Sequence, residues 1–130
     1  MNHPIYQASL DQITARLPPN APVHMLNLLR FRADGRREGY FGAYVGAFRA
    51  IAADLGIDGI EPIWTGTVAG FVAGPQEEAW DTVLIVRYPS LRAFRSIVES
   101  ERYREEALPH RLAAVVDWRL IAQTEMQRPR

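Results

Sequence analysis

The apolar run from Thr82 to Val86, together with the helical pattern after it, restricts the fold more than any other stretch. The run is short and rich in β-branched residues, which predicts a buried strand. Pro89 ends the strand because proline has no N–H to donate to a sheet, and Ser90 is placed to cap the helix that follows. The apolar stripe of that helix consists of Leu91, Phe94, Ile97 and Val98. A strand whose helix lies back on the sheet is half of an α+β sandwich.

The chain after this helix is predicted to turn again before a last strand. Ser100 is a second candidate cap, which opens a helical turn from Glu101 to Leu108. We expect Pro109 to close that turn, with one more turn of helix from Leu112 to Val115. The alternation from Val116 to Thr124 predicts an edge strand.

The N-terminal part of the chain predicts a short helix and then a strand. Ser9 and Gln12 have the spacing of a capping box, and Pro18-Pro19 ends the helix that they open. Pro22 precedes the strand Val23–Phe31, in which residues of both parities are mostly apolar. A strand covered on one face alternates between apolar and polar residues, so this strand is predicted to be covered on both faces.

The middle of the chain predicts a loop, a helix and a strand that contains glycine. Residues Ala33–Gly39 are polar and rich in glycine, as is typical of a loop. Apolar residues then recur at helical spacing from Tyr40 to Leu55, and Gly56 is suited to the left-handed conformation that ends a helix. The strand Ile60–Ala73 contains two glycines, which predict bulges or a bent edge strand, and Gly74–Glu77 is the turn of a hairpin.

The resulting order of elements is strand, helix, strand, strand, helix, strand, after a small N-terminal helix. This order predicts the ferredoxin-like βαββαβ fold, in which a four-stranded antiparallel sheet carries both main helices on one face. The first and third strands are central in that fold, and they are the most apolar strands here. We place an N-terminal extension at residues 1–21, the ferredoxin-like domain at 22–126 and a frayed tail at 127–130.

The second face of the predicted sheet has no helix to cover it. Apolar residues on both parities of the central strands would therefore leave an apolar patch on that face of a single chain. Soluble monomers rarely expose large patches of this kind, and a second copy of the chain is the simplest cover. We therefore expect a homodimer.

Composition and charge exclude several classes of function. The chain has 130 residues, 48% of them hydrophobic, with fifteen acidic and fifteen basic side chains. This balance gives no support for binding to nucleic acid or to an anionic membrane. The absence of cysteine excludes disulfides and thiolate nucleophiles. Neither a secretory signal nor an apolar run of membrane-spanning length is visible, so a cytoplasmic location is the default expectation.

Several short motifs together resemble one known family. They are Asn27–Phe31 after an apolar lead-in, Tyr40 and Tyr44, Trp80-Asp81, Tyr88-Pro89-Ser90, Ser100 with Tyr103, and His110-Arg111. Over residues 22–125 the chain resembles the domain-of-unknown-function family 1330, which belongs to the dimeric α/β barrel superfamily. The resemblance implies a ferredoxin-like protomer that pairs sheet to sheet into a barrel. That superfamily includes cofactor-independent monooxygenases, isomerases, haem enzymes and plain ligand binders, so the fold does not decide the activity.

The candidates for one shared site between the sheet and the helices are Asn27, Tyr44, Tyr103, His110 and Arg111. Asn27 lies in mid-strand, where its amide either points into a cavity or bonds to nearby backbone. Tyr44 and Tyr103 each offer an apolar ring with a polar tip, in a pocket or in the core. His110 is a candidate general base and Arg111 a candidate anion clamp. In the alternative, His110 is solvated and Arg111 pairs with Asp117 or with Glu105-Glu106.

Several chemistries are disfavoured by what the sequence lacks. It has no phosphate-binding glycine loop, no dinucleotide fingerprint and no serine on a nucleophile elbow. His3, His24 and His110 are far apart and lack the spacing of metal ligands. Haem binding at His24 or His110 has no axial-ligand context to support it. We therefore expect neither a metal nor a cofactor.

These patterns predict a dimer that binds a small apolar or aromatic molecule. If this dimer is an enzyme, we expect a cofactor-independent isomerase or monooxygenase. His110 would transfer a proton, and Asn27 and Tyr44 would tether the substrate. A single guanidinium favours a carbonyl, a phenol or a monocarboxylate over a polyphosphate. The alternative is a non-catalytic accessory or structural dimer with no ligand site. The sequence specifies neither the substrate nor the reaction class.

Overall fold

The computed structural model describes residues 4–33 and 37–126 and confirms the predicted α+β architecture. Both main helical regions contain a segment of π-helix. In chain order the elements are α1 (Gln7–Arg16), β1 (Val23–Phe31), a first π segment (Gly39–Tyr44) that continues into α2 (Val45–Asp54), β2 (Glu61–Thr67), β3 (Thr82–Tyr88), α3 (Leu91–Val98), a second π segment (Tyr103–Ala107) that continues into α4 (Leu108–Ala114), and β4 (Val115–Gln123).

The four strands form one antiparallel sheet in the order β2-β3-β1-β4, as predicted for the ferredoxin-like fold. The apolar strands β1 and β3 are central, and β2 and β4 are the edges. Along β1 the buried residues alternate with half-buried ones. The buried set consists of Val23, Met25, Asn27 and Leu29. Its apolar members join the hydrophobic core with residues of α2 and α3, so this face of the sheet is the one that the helices cover.

Three of the predicted helix ends are confirmed. Ser90 caps α3, and its Oγ accepts a hydrogen bond from the backbone N–H of Ala93 at 3.1 Å. Ser100 Oγ accepts a hydrogen bond from the backbone N–H of Tyr103, also at 3.1 Å, where the next helical stretch begins. Gly56 follows α2 with a φ of 71°, a left-handed conformation that glycine adopts without strain.

Two other predictions about helix ends are wrong. α1 begins at Gln7, so Ser9 lies inside the helix, and the N-cap residue Tyr6 makes no capping hydrogen bond through its side chain. Pro109 does not close a helix, because it lies in the first turn of α4. The second π segment runs directly into α4, so Pro109 lies within a longer helical stretch, and its missing N–H coincides with the change from the π to the α pattern.

β2 is shorter than the predicted strand Ile60–Ala73. It ends at Thr67, which pairs with Thr82 at the start of β3, so residues beyond Thr67 have no strand to pair with. The irregularity in its pairing lies between Pro62 and Trp64 rather than at a glycine. Proline has no N–H to donate to the neighbouring strand, which accounts for the break in register at that point.

Two predictions fall partly or wholly on residues that the structure does not describe. The predicted loop Ala33–Gly39 is shorter than expected, because residues 37–39 are helical, and residues 34–36 lie outside the described part of the chain. The predicted frayed tail at 127–130 also lies outside it. The predicted domain boundary at residue 22 stays a prediction. α1 lies before this boundary in the chain.

α1 packs against α3, and one arginine of α3 bonds to two of its side chains. Arg95 Nη2 donates to Asp11 Oδ1 at 2.8 Å, and Arg95 Nη1 donates to Thr14 Oγ1 at 2.9 Å. Leu10 is the buried residue of the helix. Polar contacts at the surface, the buried Leu10 and the half-buried Ile13 thus attach α1 to the rest of the fold.

The face of the sheet without helices carries an apolar row that crosses all four strands. Ile85 of β3 pairs with Trp64 of β2 on one side and with Leu26 of β1 on the other. Leu26 in turn pairs with Ile121 of β4. Residues that pair directly across strands lie on the same face of a sheet, so the four side chains form one row. Trp64 is 60% exposed and Ile121 is 49% exposed, so the ends of the row are uncovered in a single chain.

Replacing Ser90 with alanine removes the cap of α3, and we expect the free energy of unfolding to fall by about 1 kcal/mol. Ser96 provides a matched control, because its exposed hydroxyl donates to the Arg92 carbonyl within the helix and caps no helix end. Ser96→Ala should change the free energy of unfolding by less than about 0.5 kcal/mol. Urea denaturation of the two variants measures the difference, and equal losses would contradict the capping role of Ser90.

Candidate functional site

A cavity of about 530 Å³ lies between the helix-covered face of the sheet and the helical region formed by the first π segment and α2. We call it the main cavity. Asn27 and Leu84 line it from the central strands, and Tyr44 and Phe48 line it from the helical side. Apolar and aromatic side chains make up most of its lining. Its size and its apolar walls are those of a typical small-molecule site.

Asn27 brings a polar group into the lining of the main cavity. Its Nδ2 donates to the carbonyl oxygens of Met25 at 3.3 Å and of Leu84 at 3.2 Å. These two bonds fix the orientation of the amide. The Oδ1 atom has no hydrogen-bond donor among the described residues and can accept one from a ligand. The sequence allowed two roles for Asn27, and the structure shows both: the amide bonds to backbone and also lines a cavity.

The two π segments bring three tyrosines together. Tyr40 and Tyr44 lie in the first segment and Tyr103 lies in the second, and all three are buried. The rings of Tyr40 and Tyr44 stack with their centres 4.9 Å apart, and the ring of Tyr103 meets that of Tyr44 edge-on at 6.2 Å. π-Helical turns are rare and often occur at functional sites. We call these three residues the tyrosine cluster.

The hydroxyl oxygens of Tyr44 and Tyr103 are 2.9 Å apart, so one hydroxyl donates a hydrogen bond to the other. Burial raises the pKa of Tyr44 well above its ordinary value, and the nearby hydroxyls of Tyr103 and Tyr40 raise it further. Burial likewise raises the pKa of Tyr40. The positive charge of Arg111 lowers both pKa values without offsetting the effect of burial. Tyr40 and Tyr44 therefore stay protonated at neutral pH and can donate hydrogen bonds.

Arg111 is a buried cation beside the tyrosine cluster. It is only 3% exposed, and its guanidinium carbon lies 3.7 Å from the centre of the Trp118 ring, which is a cation–π contact. Its Nε and Nη1 atoms are buried and have no acceptor among the residues that the structure describes. The predicted alternative partner, Asp117, is instead bonded to Arg30 and Arg119.

A second cavity, of about 260 Å³, adjoins the main cavity and shares Ile5 and Val98 with it. Arg111 and Tyr103 line this second cavity from the helical side, and Leu10 lines it from α1. The N-terminal segment, which lies outside the predicted domain 22–126, therefore provides part of its wall.

Four of the predicted site residues lie in one region of the structure. Asn27 and Tyr44 line the main cavity, Tyr103 is bonded to Tyr44, and Arg111 lines the second cavity together with Tyr103. His110 is not brought to either cavity, because its side chain is exposed on α4. Two adjoining cavities thus take the place of the single shared pocket that we expected.

Tyr40 and Trp118 also belong to this region, although neither is a predicted site residue. Tyr40 precedes Tyr44 by four residues, a spacing that puts both on one face of a helix. Trp118 pairs with Leu29 across the sheet, which puts it on the helix-covered face. Both positions are therefore visible in the periodicity of the sequence once the strand register is known.

Residues 4–33 and 37–126 contain neither a metal-binding cluster of side chains nor a helix that could cross a membrane. No three His, Cys, Asp or Glu side chains of this part of the chain are arranged to hold a metal ion. No helix within these ranges has the length and apolar character needed to cross a membrane.

Removing one hydroxyl of the Tyr44–Tyr103 pair leaves the other hydroxyl buried without its partner. We expect Tyr44→Phe and Tyr103→Phe each to lower the free energy of unfolding by about 1–2 kcal/mol. The double variant should lose at least about 0.5 kcal/mol less than the sum of the two, because it leaves neither hydroxyl alone.

Urea denaturation of the four proteins in this cycle measures the coupling. Tyr88→Phe is a suitable control, because Tyr88 is buried but its hydroxyl makes no hydrogen bond with the described residues. Its effect should stay within about 0.5 kcal/mol. Strictly additive losses at Tyr44 and Tyr103 would show that the two hydroxyls do not stabilise each other.

The chain matches no protein-family model and no curated protein sequence. Solved structures do match it. The RPA0582 protein of unknown function from Rhodopseudomonas palustris is 33% identical, with a TM-score of 0.78 over 98% of this chain and 100% of that chain. The methylated form of RPA0582 is 34% identical, with a TM-score of 0.79 over 99% of this chain and 98% of that chain.

More distant structures share the fold. A dimeric protein of unknown function with a ferredoxin-like fold from Bacteroides fragilis is 16% identical, with a TM-score of 0.51 over 80% of this chain and 96% of that chain. A dabb family protein with a ferredoxin-like fold from Mesorhizobium loti is 8% identical, with a TM-score of 0.55 over 82% of this chain and 98% of that chain. These two likenesses show the fold alone. The identity and nearly complete coverage shared with RPA0582 show more: this chain is a ferredoxin-like protein that belongs to the same family as RPA0582 of Rhodopseudomonas palustris.

Proposed function

We propose that this protein binds a small apolar or aromatic molecule in the main cavity. The observation that carries the proposal is the Asn27 Oδ1 atom, an acceptor without a donor among the described residues, in the lining of a largely apolar cavity of about 530 Å³. Small-molecule sites are built in this way, from apolar walls with a few polar groups that fix the orientation of the ligand. A ligand hydroxyl or N–H group would donate to Asn27.

The proposed ligand-binding residues are Asn27, Tyr44, Tyr103 and Arg111. Tyr44 lines the main cavity and is bonded to Tyr103, so a change at either hydroxyl alters the donors available to a ligand. Arg111 is close enough to Tyr44 for its charge to lower the pKa of that tyrosine. Neutral hydroxyl donors beside one cation favour a ligand with a carbonyl, phenol or monocarboxylate group.

Binding is the function that the geometry supports best, and catalysis would need a further component. His110, the residue predicted to transfer a proton, is exposed on α4 and lines neither cavity. A cofactor-independent isomerase or monooxygenase that uses His110 therefore stays a prediction. In the competing proposal, a structural dimer without a ligand site, no small molecule would bind the main cavity.

We also propose that two copies of the chain pair through the helix-free faces of their sheets. The apolar row of Trp64, Leu26, Ile85 and Ile121 supports this arrangement, because its ends are exposed in one chain. The Bacteroides fragilis protein with this fold is dimeric, which supports the same assembly here. Sheet-to-sheet pairing would cover the row with an identical row of the second copy.

The finer family assignment and the location in the cell are also proposals. The sequence motifs between Asn27 and Arg111 support membership of the domain-of-unknown-function family 1330, although no family model matches the chain. A cytoplasmic location is proposed on the sequence grounds given above.

Filling the main cavity should prevent ligand binding. Ala52 lines this cavity and is 6% exposed, whereas Ala50 lies on the exposed side of α2 and provides a matched control. The neutral apolar dye N-phenyl-1-naphthylamine should bind wild type and Ala50→Phe with the same affinity. Ala52→Phe should bind it at least about tenfold more weakly, because the new ring occupies the space for the dye.

Fluorescence titration measures the affinity of each protein for the dye. Equal affinities for Ala52→Phe and Ala50→Phe would place the dye elsewhere and contradict the proposed site. Failure of the wild-type protein to bind the dye would favour the structural dimer without a ligand site.

A charge in the apolar row should separate the proposed dimer. We expect the wild-type protein to sediment at twice the chain mass of 14.7 kDa and Leu26→Arg to sediment at 14.7 kDa, because the arginine would be buried against its copy. Ala50→Arg puts the same charge on the exposed side of α2 and should remain a dimer. Sedimentation velocity decides the matter, and a wild-type mass of 14.7 kDa at every concentration would refute the assembly.

A further inference from the structure

Arg111 presents buried hydrogen-bond donors that no group of the described chain accepts. Its Nε and Nη1 atoms are buried without a partner, the residue is 3% exposed, and it lines the second cavity. We infer that the second cavity binds a carboxylate group, which pairs with the guanidinium of Arg111. This inference deepens the proposed function and rests on it, because the second cavity adjoins the main cavity and shares Ile5 and Val98 with it.

The charge of Arg111 lacks a counter-charge within the described part of the chain. Removing a guanidinium from water is costly unless an anion and hydrogen-bond acceptors replace the water. The face of the Trp118 ring, 3.7 Å away, supplies part of this compensation. The carboxylate of Asp117 is engaged by Arg30 and Arg119, so a ligand anion is the group that would complete the site.

The tyrosine cluster adds a neutral donor beside the cation. Either hydroxyl can donate in the bond between Tyr44 and Tyr103, and when Tyr44 donates, the hydroxyl hydrogen of Tyr103 has no acceptor among the described residues. Tyr103 lines the second cavity together with Arg111. A carboxylate accepts several hydrogen bonds through its two oxygens and carries a single negative charge. It therefore matches one guanidinium and one phenolic hydroxyl better than a neutral carbonyl or a polyphosphate does.

The size and the remaining walls of the second cavity restrict the ligand to a small acid. Its volume of about 260 Å³ corresponds to roughly eight or nine water molecules, which is the size of a small aromatic carboxylate such as benzoate. Glu99 also lines the cavity, but its carboxylate is held by Arg95 at 2.5 Å. Arg104 lines the same cavity with an exposed side chain and adds a second positive charge.

Calorimetric titration of the full chain with benzoate and with benzamide tests this inference, because the two probes have nearly the same shape and differ in charge. We expect the wild-type protein to bind benzoate about tenfold more tightly than benzamide. Arg111→Met should bind the two probes equally. Arg92→Met removes an exposed cation of α3 that lines neither cavity and should keep the full preference for benzoate.

The inference is overturned if wild type binds benzoate and benzamide equally, or if the preference survives in Arg111→Met. Replacement of an unpaired buried charge by an apolar side chain is often neutral or stabilising, so Arg111→Met should fold. Should it not fold, wild-type crystals soaked in 4-bromobenzoate decide instead. A carboxylate within hydrogen-bonding distance of Arg111 supports the inference, and any other position overturns it.

The dye titration separates this inference from the proposed function. Dye binding in the main cavity without any preference for benzoate would leave the proposed function standing and remove only the carboxylate subsite. Failure of the wild-type protein to bind the dye would instead contradict the proposed function itself.

Discussion

The apolar character of both faces of the central strands is the constraint on which the rest of this structure depends. On β1, Met25 and Leu29 pack under the helices, while Leu26, on the opposite face, belongs to the apolar row. The two proposed tasks of the protein, ligand binding and pairing with a second copy, are thereby separated by the parity of residues on one strand. Asn27 faces the helices and the main cavity, and its neighbour Leu26 faces the proposed partner. A shift of one residue in the register would exchange the two faces, so both tasks depend on the same strand pairing.

Charges are balanced differently on the two sides of the sheet. On the helix-free side, burial raises the pKa of Asp117, but hydrogen bonds from Arg119 and from the Trp118 N–H outweigh burial and lower it. That carboxylate is therefore ionised and paired. On the helix side, Arg111 is stabilised by the face of an aromatic ring and lacks a carboxylate partner among the described residues. Balanced charge suits the proposed interface between two copies of the chain, and unbalanced charge suits the proposed ligand site.

The order of the strands, their central and edge positions and the cap at Ser90 were predictable, because they follow from local periodicity and from the chemistry of single residues. The π segments were not, since an apolar stripe at helical spacing is compatible with either kind of helix. The burial of Arg111 was not predictable, because it depends on the strand register that puts Trp118 on the helix-covered face of the sheet. The second cavity needed the position of α1, which tertiary contacts decide. The grouping of Asn27, Tyr44, Tyr103 and Arg111 in one region was predictable from topology, whereas the division into two cavities was not.

The attachment of α1 through Arg95 has a consequence for access to the guanidinium of Arg111. Elements that are held by few buried contacts open by local unfolding at a free-energy cost well below that of the whole domain. α1 fully buries only Leu10, packs the half-buried Ile13 against the core, and is held at the surface by bonds from Arg95 to Asp11 and Thr14. Its amide hydrogens should therefore exchange with solvent long before those of β1 and β3. Each such opening would remove Leu10 from the wall of the second cavity, so the rate at which an acid enters would follow the fluctuations of an N-terminal helix rather than those of the sheet.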